Sequence, residues 1–402
     1  MPILGRMGAA LLYWDPFDVD IDDDPYPVWK RLRDEAPLYW NERYGFYALS
    51  RFADVQAAHR DVRTFLSSHG TVLELMGPDP IPTGQIIFQD PPEHDRLRKL
   101  VSRAFTNRRV AEIEDRVRAI CAALLDPHVG GSGFDYVQDF SVVLPSTVIS
   151  VLMGVPDSDR EQVRHLIDTV FHIEPGVGMV NDVSLTAQIE LNTYFRAQLS
   201  ERRRAPRDDL FTALVEAEID EDGEARRLTE SESADFANLL VSAGTETVAR
   251  LLGWAAAVLP RHPGQRAALA ADPSLIPGAV EELLRYEPPS PVQGRYTSSD
   301  VELHGTVVPA GSKVLLLTGA AGRDERVYAD PDRFDVLRRP EQHLSFGYGI
   351  HFCLGAALAR LEGRVGLEET LRRFPEWEVD EANAVRQHTS TVRGYEKLPI
   401  RT

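Results

Sequence analysis

Cysteine is scarce in this chain. Two in 402 residues exclude a disulfide framework and any four-cysteine zinc or iron–sulfur centre. Positive charge is scarce as well. The 44 Lys and Arg face 62 Asp and Glu, for a net charge of −18, which disfavours nucleic acid and anionic membrane surfaces as partners. No apolar run approaches the roughly 20 residues that span a bilayer. The stretch from Met7 to Trp14 also lacks the n-region and cleavage site of a secretory signal, so a cytoplasmic protein is expected. A Gly-x-Gly-x-x-Gly fingerprint after a strand is missing, and no intrinsic flavin or NAD(P) site is expected. Nor is there an internal repeat or low-complexity linker. The expectation is one domain over residues 1–402, with 1–14 as a flexible or loosely packed N-terminal segment.

What is present is helical pattern. In SDREQVRHLIDTVF, Val163, Leu166, Ile167 and Val170 share one face, and LTAQIELNTYFRAQLSERRR carries a similar stripe. Between them HIEPGVGMVNDVS reads as an exposed connection. A longer helix is expected after Thr229. Thr229-x-x-Glu232 is a capping box, Pro260 limits the far end, and Phe236, Leu240, Ala243, Thr247 and Leu251 recur at helical spacing. A last helix is expected from about Leu354 to Arg373. Short β segments are expected near YGFYALS, VELHGTVVPAGSKVLLL and TSTVRGYEKLPI. The stretch SSHGTVLELMGPDPIPTGQIIFQDPPEH has little periodicity and reads as a long loop of the lid or binding kind. Mainly α structure with small, separate β-sheets (α+β) follows.

Of the two cysteines, Cys121 lies at helical spacing with Ala119, Leu124 and Leu125 and reads as core. Cys353 sits in HLSFGYGIHFCLGAALARLE. A thiolate is a strong iron ligand that must be kept deprotonated and shielded. The expected helix start after Cys353 offers amides and a positive dipole end. Gly347 and Gly349 permit a left-handed turn before it. Gly355 removes a side chain where a flat cofactor could lie, and Phe346 can cover the sulfur.

The pattern Phe346-Gly347-x-Gly349-x-His351-x-Cys353-x-Gly355 closely resembles the heme-binding loop of the cytochrome P450 family. The resemblance implies a heme placed between the long central helix and the cysteine loop, with Cys353 as axial ligand of the iron. Four further stretches agree. In LLVSAGTETVARLLGWAAAVLP the match implies that Ala243 and Gly244 leave room above the iron, that Thr247 hydrogen-bonds the oxygen species and that Glu246 relays protons. EELLRYEPPSP supplies the family's Glu-x-x-Arg, implying a structural triad of Glu282, Arg285 and Arg333. His94 and Arg98, at i,i+4, match the family's propionate-binding pair; Asp95 stands where threonine is usual and is not expected to touch heme. Arg295 and His351 complete the propionate set. Gly322 departs from the family's asparagine before Arg323-Asp324. The matches run from about Asp90 to Gly355 in family order.

The resemblance implies a mono-oxygenase that hydroxylates a hydrophobic small molecule of terpenoid, fatty acid or steroid class. Heme b is the implied cofactor and dioxygen the co-substrate. The pocket would be lined by Leu73 to Ile87, Phe236 to Ala243, and segments near Val292 and Thr391. Electrons would come from a separate ferredoxin and reductase to a monomer, docked near Arg96, Arg98, Lys99, Arg103, Arg108 and Arg109. A heme sensor or electron carrier has no need of Glu246-Thr247. Peroxide-driven members tend to lack the threonine. A zinc scaffold would need more ligands than His351 and Cys353.

Overall fold

The computed structural model describes residues 12–102, 110–171, 174, 178, 181–221 and 224–402. Its axis is the helix Glu230–Val258, called the central helix below. The capping box forms in full: the Thr229 hydroxyl accepts from the Glu232 amide at 3.2 Å, and the Glu232 carboxylate accepts from the Thr229 amide at 2.8 Å. Two of the orphan donors at the helix start are satisfied in this way. At the far end the chain passes into a 3-10 turn, Leu259–Arg261, that contains Pro260.

The central helix passes through two apolar cores. Its first half sends Phe236, Ala237, Leu240 and Val241 among Leu191, Phe195 and Phe211. Its second half sends Val248, Leu251, Leu252 and Ala255 among Leu144, Val365 and Leu367. Each large side chain fully buried in this way contributes about 1.5–3 kcal/mol, so both ends are anchored. Around it pack the helices Val143–Met153, Asp182–Arg204 and Ala356–Arg373. Between the two cores, Ser242, Ala243, Gly244 and Thr247 are only partly covered or exposed.

A five-stranded sheet stands apart from most of the helices. Its order is Leu38–Asn41, Phe46–Leu49, Lys313–Leu316, Gln293–Thr297, Phe65–Leu66. Lys313–Leu316 runs parallel to Phe46–Leu49, and the other neighbours are antiparallel. Arg295 sits in this sheet opposite Val314. The hairpin of Val385–His388 and Arg393–Lys397 lies on the central helix, where the Trp254 indole donates to the Arg393 carbonyl at 3.1 Å.

Most expected elements are present. The helices Arg160–Val170 and Asp182–Arg204 stand where the periodicity puts them, though much of their connection lies outside the described residues. The long loop contains only two single turns, Leu73–Leu75 and Ile86–Phe88. Cys121 is fully buried in the core. The expected loose N-terminal segment needs correction at its end: Trp14 is buried, edge-on to Phe46, and its carbonyl accepts from the Asn41 amide group at 2.9 Å. An indole that covers apolar surface while its backbone is tied cannot remain loose. Residues 1–11 lie outside the described residues. Among the described residues, no helix is long and apolar enough to cross a membrane.

Candidate active site

The cysteine loop is built from backbone. Gly347 and Gly349 both have φ of 70°, the left-handed region that glycine enters without steric cost. A side chain on Gly349 would also meet the His59 carbonyl at 2.9 Å. The turn brings the Cys353 amide to the Phe346 carbonyl at 2.8 Å, and the Ser345 hydroxyl anchors the loop to the Leu284 carbonyl at 2.5 Å. Phe346 is buried beside the sulfur loop, with the Arg360 guanidinium 4.6 Å from its ring centre. The last helix begins at Ala356, later than expected, so Cys353 precedes it by three residues. The Gly355 amide does reach the sulfur, and Arg98 and Arg360 favour its anion, but burial outweighs them and pushes the thiol up. Protein groups alone therefore leave a thiol. A coordinated metal ion deprotonates such a thiol outright.

Around this loop the fold gathers basic side chains from distant segments. The His94 and His351 rings lie 4.3 Å apart, and the charge of Arg98 is felt by both His351 and Cys353. Arg295 is buried and, among the described residues, has no carboxylate within ion-pair distance. Burial holds its guanidinium down to about 10, opposed by the charge of Asp90. His351 accepts or donates a 3.1 Å bond with the Ser67 hydroxyl. Burial, then the neighbouring Arg295 and imidazoles, drive it down to about 2, so it is neutral. His94 is buried, and its Nδ1 meets Asp95 at 3.0 Å, while its Nε2 has no partner. Asp95 thus orients the His94 ring.

On the central helix the open stretch resolves residue by residue. Ala243 is exposed and Thr247, one turn on, is half-buried; the Thr247 hydroxyl donates to the Ala243 carbonyl at 3.1 Å. Neighbouring positions on a helix point about 100° apart. Glu246 accordingly turns into the protein, where Arg250 donates to it at 2.9 Å and also reaches the Tyr395 carbonyl. Its charge is felt by Asp168 on the helix Arg160–Val170. Thr247 and Ala243 share the open face; Glu246 does not. Gly244 also faces elsewhere: a Cβ there would meet only the Ile149 side chain, at an ordinary 3.7 Å.

The cytochrome P450 family model matches residues 271–397. A Mycobacterium tuberculosis protein carrying the name cytochrome P450 123 is 44% identical over 398 residues, covering 98% of each chain. The chain belongs to the cytochrome P450 family. The erythromycin C-12 hydroxylase of Saccharopolyspora erythraea is 40% identical over 377 residues, 92% of each. Among solved structures, open EryK from S. erythraea superposes with a TM-score of 0.88 at 37% identity, covering 97% of this chain and 98% of that one. This P450 is therefore a heme-dependent mono-oxygenase with the family fold.

The residues present fit a heme. Buried Arg295, with no carboxylate in ion-pair distance among the described residues, calls for an anion, and a propionate carboxylate is one. A Cβ on Gly355 would meet nothing within 4 Å, which leaves open space beside the thiol.

The expected triad is corrected at one member. Glu282 and Arg285 are fully buried and doubly bonded, both at 2.7 Å. Arg285 also donates to the carbonyls of Gly322 at 2.7 Å and Pro331 at 2.8 Å. The second cation on Glu282 is Arg338, at 3.2 Å, in the place expected of Arg333. The Arg333 side chain is 68% exposed and faces Asp335; only its carbonyl joins the cluster, accepting from Arg338 at 3.2 Å. The chain turns between the two arginines, which sends one side chain out and the other in. The glycine at 322 has a steric reason, since a Cβ there would stand 2.6 Å from the Arg285 carbonyl. Sequence reasoning missed Arg338, His59, Ser67 and Arg250. Arg250 alone left a signal, at i+4 from Glu246. Arg103, Arg108 and Arg109 lie outside the described residues; of the other expected docking residues, Lys99 is exposed, while Arg96 and Arg98 are partly buried.

Proposed function

We propose that this P450 hydroxylates a hydrophobic small molecule, and that Cys353 would supply the thiolate that holds heme iron. His94, Arg98, Arg295 and His351 hold the propionates. The observation that carries the reading is buried Arg295, which among the described residues has no carboxylate within ion-pair distance, in a fold that also leaves the Cys353 thiol partly open. Heme, when bound, supplies the redox-active iron at which dioxygen is split, one atom entering a C–H bond and the other leaving as water. The chain's own part is to orient and to exclude water. Phe346 and Gly347 shape the sulfur's surroundings, Gly355 would leave room for a flat ring, and Ala243 would present no more than a methyl group from the central helix. Thr247 holds a hydroxyl on that open face; with its proton given to the Ala243 carbonyl, its oxygen is left to accept a hydrogen bond from a group bound there. A relay through Glu246 requires its pair with Arg250 to open first.

The substrate side is supported by how its segments are tied. The long loop is held to the central helix by the Gly84 amide on Asp235, 2.9 Å. The Ser390 hydroxyl on Glu74, 2.6 Å, ties it to the C-terminal turn. Thr391 bonds the Val292 carbonyl at 2.8 Å. One relative is named as an erythromycin C-12 hydroxylase, which supports hydroxylation as the reaction. Electrons come from an acidic ferredoxin drawn to the basic segment that includes Arg96, Arg98 and Lys99. The test is the absorption spectrum of the reduced, carbon monoxide-bound protein grown with ample iron and porphyrin precursor. A far-red-shifted Soret band that disappears in Cys353→His is expected. A colourless protein, or an unchanged band in that variant, overturns the reading.

A further inference from the structure

His59 lies on the helix Phe52–Arg60, whose other buried members, Phe52, Val55 and Ala58, are apolar. It is 1% exposed. Its Nδ1 lies 3.4 Å from the Arg295 guanidinium. A guanidinium has donors only, so Nδ1 must accept and the ring proton must sit on Nε2. That Nε2 is buried without a partner among the described residues. Burial, and then the charge of Arg295, hold the ring neutral by pushing it down to about 3. As a packing residue, this histidine is a poor choice: it is desolvated for one long hydrogen bond.

Its chemistry makes sense as an acceptor without charge. The other acceptor for Arg295 is its neighbour's carbonyl, Gly294, at 2.7 Å. Both partners are neutral. A carboxylate at position 59 would aim the guanidinium equally well but would cancel its attraction for another anion. The same residue also touches the cysteine loop, since its carbonyl crowds Gly349 and its ring edge lies 3.9 Å from the place a Cβ on Gly347 would take.

We propose that His59 is a positioning residue for Arg295, fixing the guanidinium for a heme propionate while leaving its charge uncompensated. This rests on the heme reading above. The test uses heme-loaded wild type, His59→Leu and His59→Asn, and measures heme transfer to excess apomyoglobin. His59→Leu should release heme about tenfold faster, the scale on which outer-shell partners act. His59→Asn, which keeps an acceptor near Nδ1, should stay close to wild type. In an Arg295→Met background, His59→Leu should add nothing. His59→Gln, whose acceptor stands away from Nδ1, replaces the leucine variant if that one folds poorly, with the same acceleration expected. Equal release from His59→Leu and wild type, an acceleration that persists without Arg295, or asparagine behaving as leucine overturns the inference. A wild-type chain that takes up no heme overturns the functional reading first, and this inference with it.

Discussion

Two buried charge clusters in this P450 use arginine in opposite ways. At Glu282, two guanidiniums meet a carboxylate, and the spare donors of Arg285 find carbonyls. At Arg295, a guanidinium meets a carbonyl and a neutral imidazole. Burying a charge is tolerable only when it is paired and hydrogen-bonded. The first cluster is therefore complete within the protein and serves the fold. The second has no carboxylate of its own among the described residues, and in the function proposed above an anion from outside completes it. Composition does not separate them; the presence of one carboxylate does.

That contrast can be broken from either side. The largest effect is expected for Glu282→Gln, which strands two cations and should cost about 3–5 kcal/mol of stability in urea unfolding. Glu362 offers a third arrangement, a buried carboxyl with an unpartnered Oε2. Burial pushes it up to about 8, against an ordinary 4.5. An acid raised in this way costs nothing below the unfolded value, and its cost accrues as pH climbs through the folded one. Glu362→Gln should match wild type below pH 4.5, gain on it as pH rises, and hold a constant lead above about pH 8. Unfolding midpoints across pH will show whether the lead grows in that window.

A finer comparison separates the two arginines of the corrected triad. Arg338→Ala should cost about 1–3 kcal/mol, because Glu282 loses a partner in the interior. Arg333→Ala should stay within about 0.5 kcal/mol, as exposed sites do. Reversed magnitudes would restore the original expectation. The smallest change is expected where the charge is already uncompensated. Arg295→Met, measured without heme, should be no less stable than wild type, whereas its heme-loaded form should lose heme faster. A clear loss of stability without heme would mean that Arg295 serves the fold after all.

The legible parts of this molecule were local ones. The cysteine loop is a contiguous run in which each glycine answers to a turn, and the central helix announces both its ends. Arg338 and Arg333 were not separable in advance, because five residues of irregular chain decide which side chain faces inward. Glu246 and Thr247 looked like one functional pair as neighbours in sequence, yet the helix turns them to different surroundings. His59 left no periodic mark at all; it is a histidine on an otherwise apolar helix face, meaningful only once Arg295 arrives from a strand 236 residues away.

The order of residues alone determined the family, the helical framework and the loop that carries the thiol, because each depends on short-range spacing and on side-chain chemistry. Only the tertiary structure decided which arginine completes the Glu282 cluster, where Glu246 points, and that Arg295 keeps its charge open. Those outcomes depend on which groups from distant segments share a buried space, where the desolvation of an ion must be met by whatever neighbour the fold supplies.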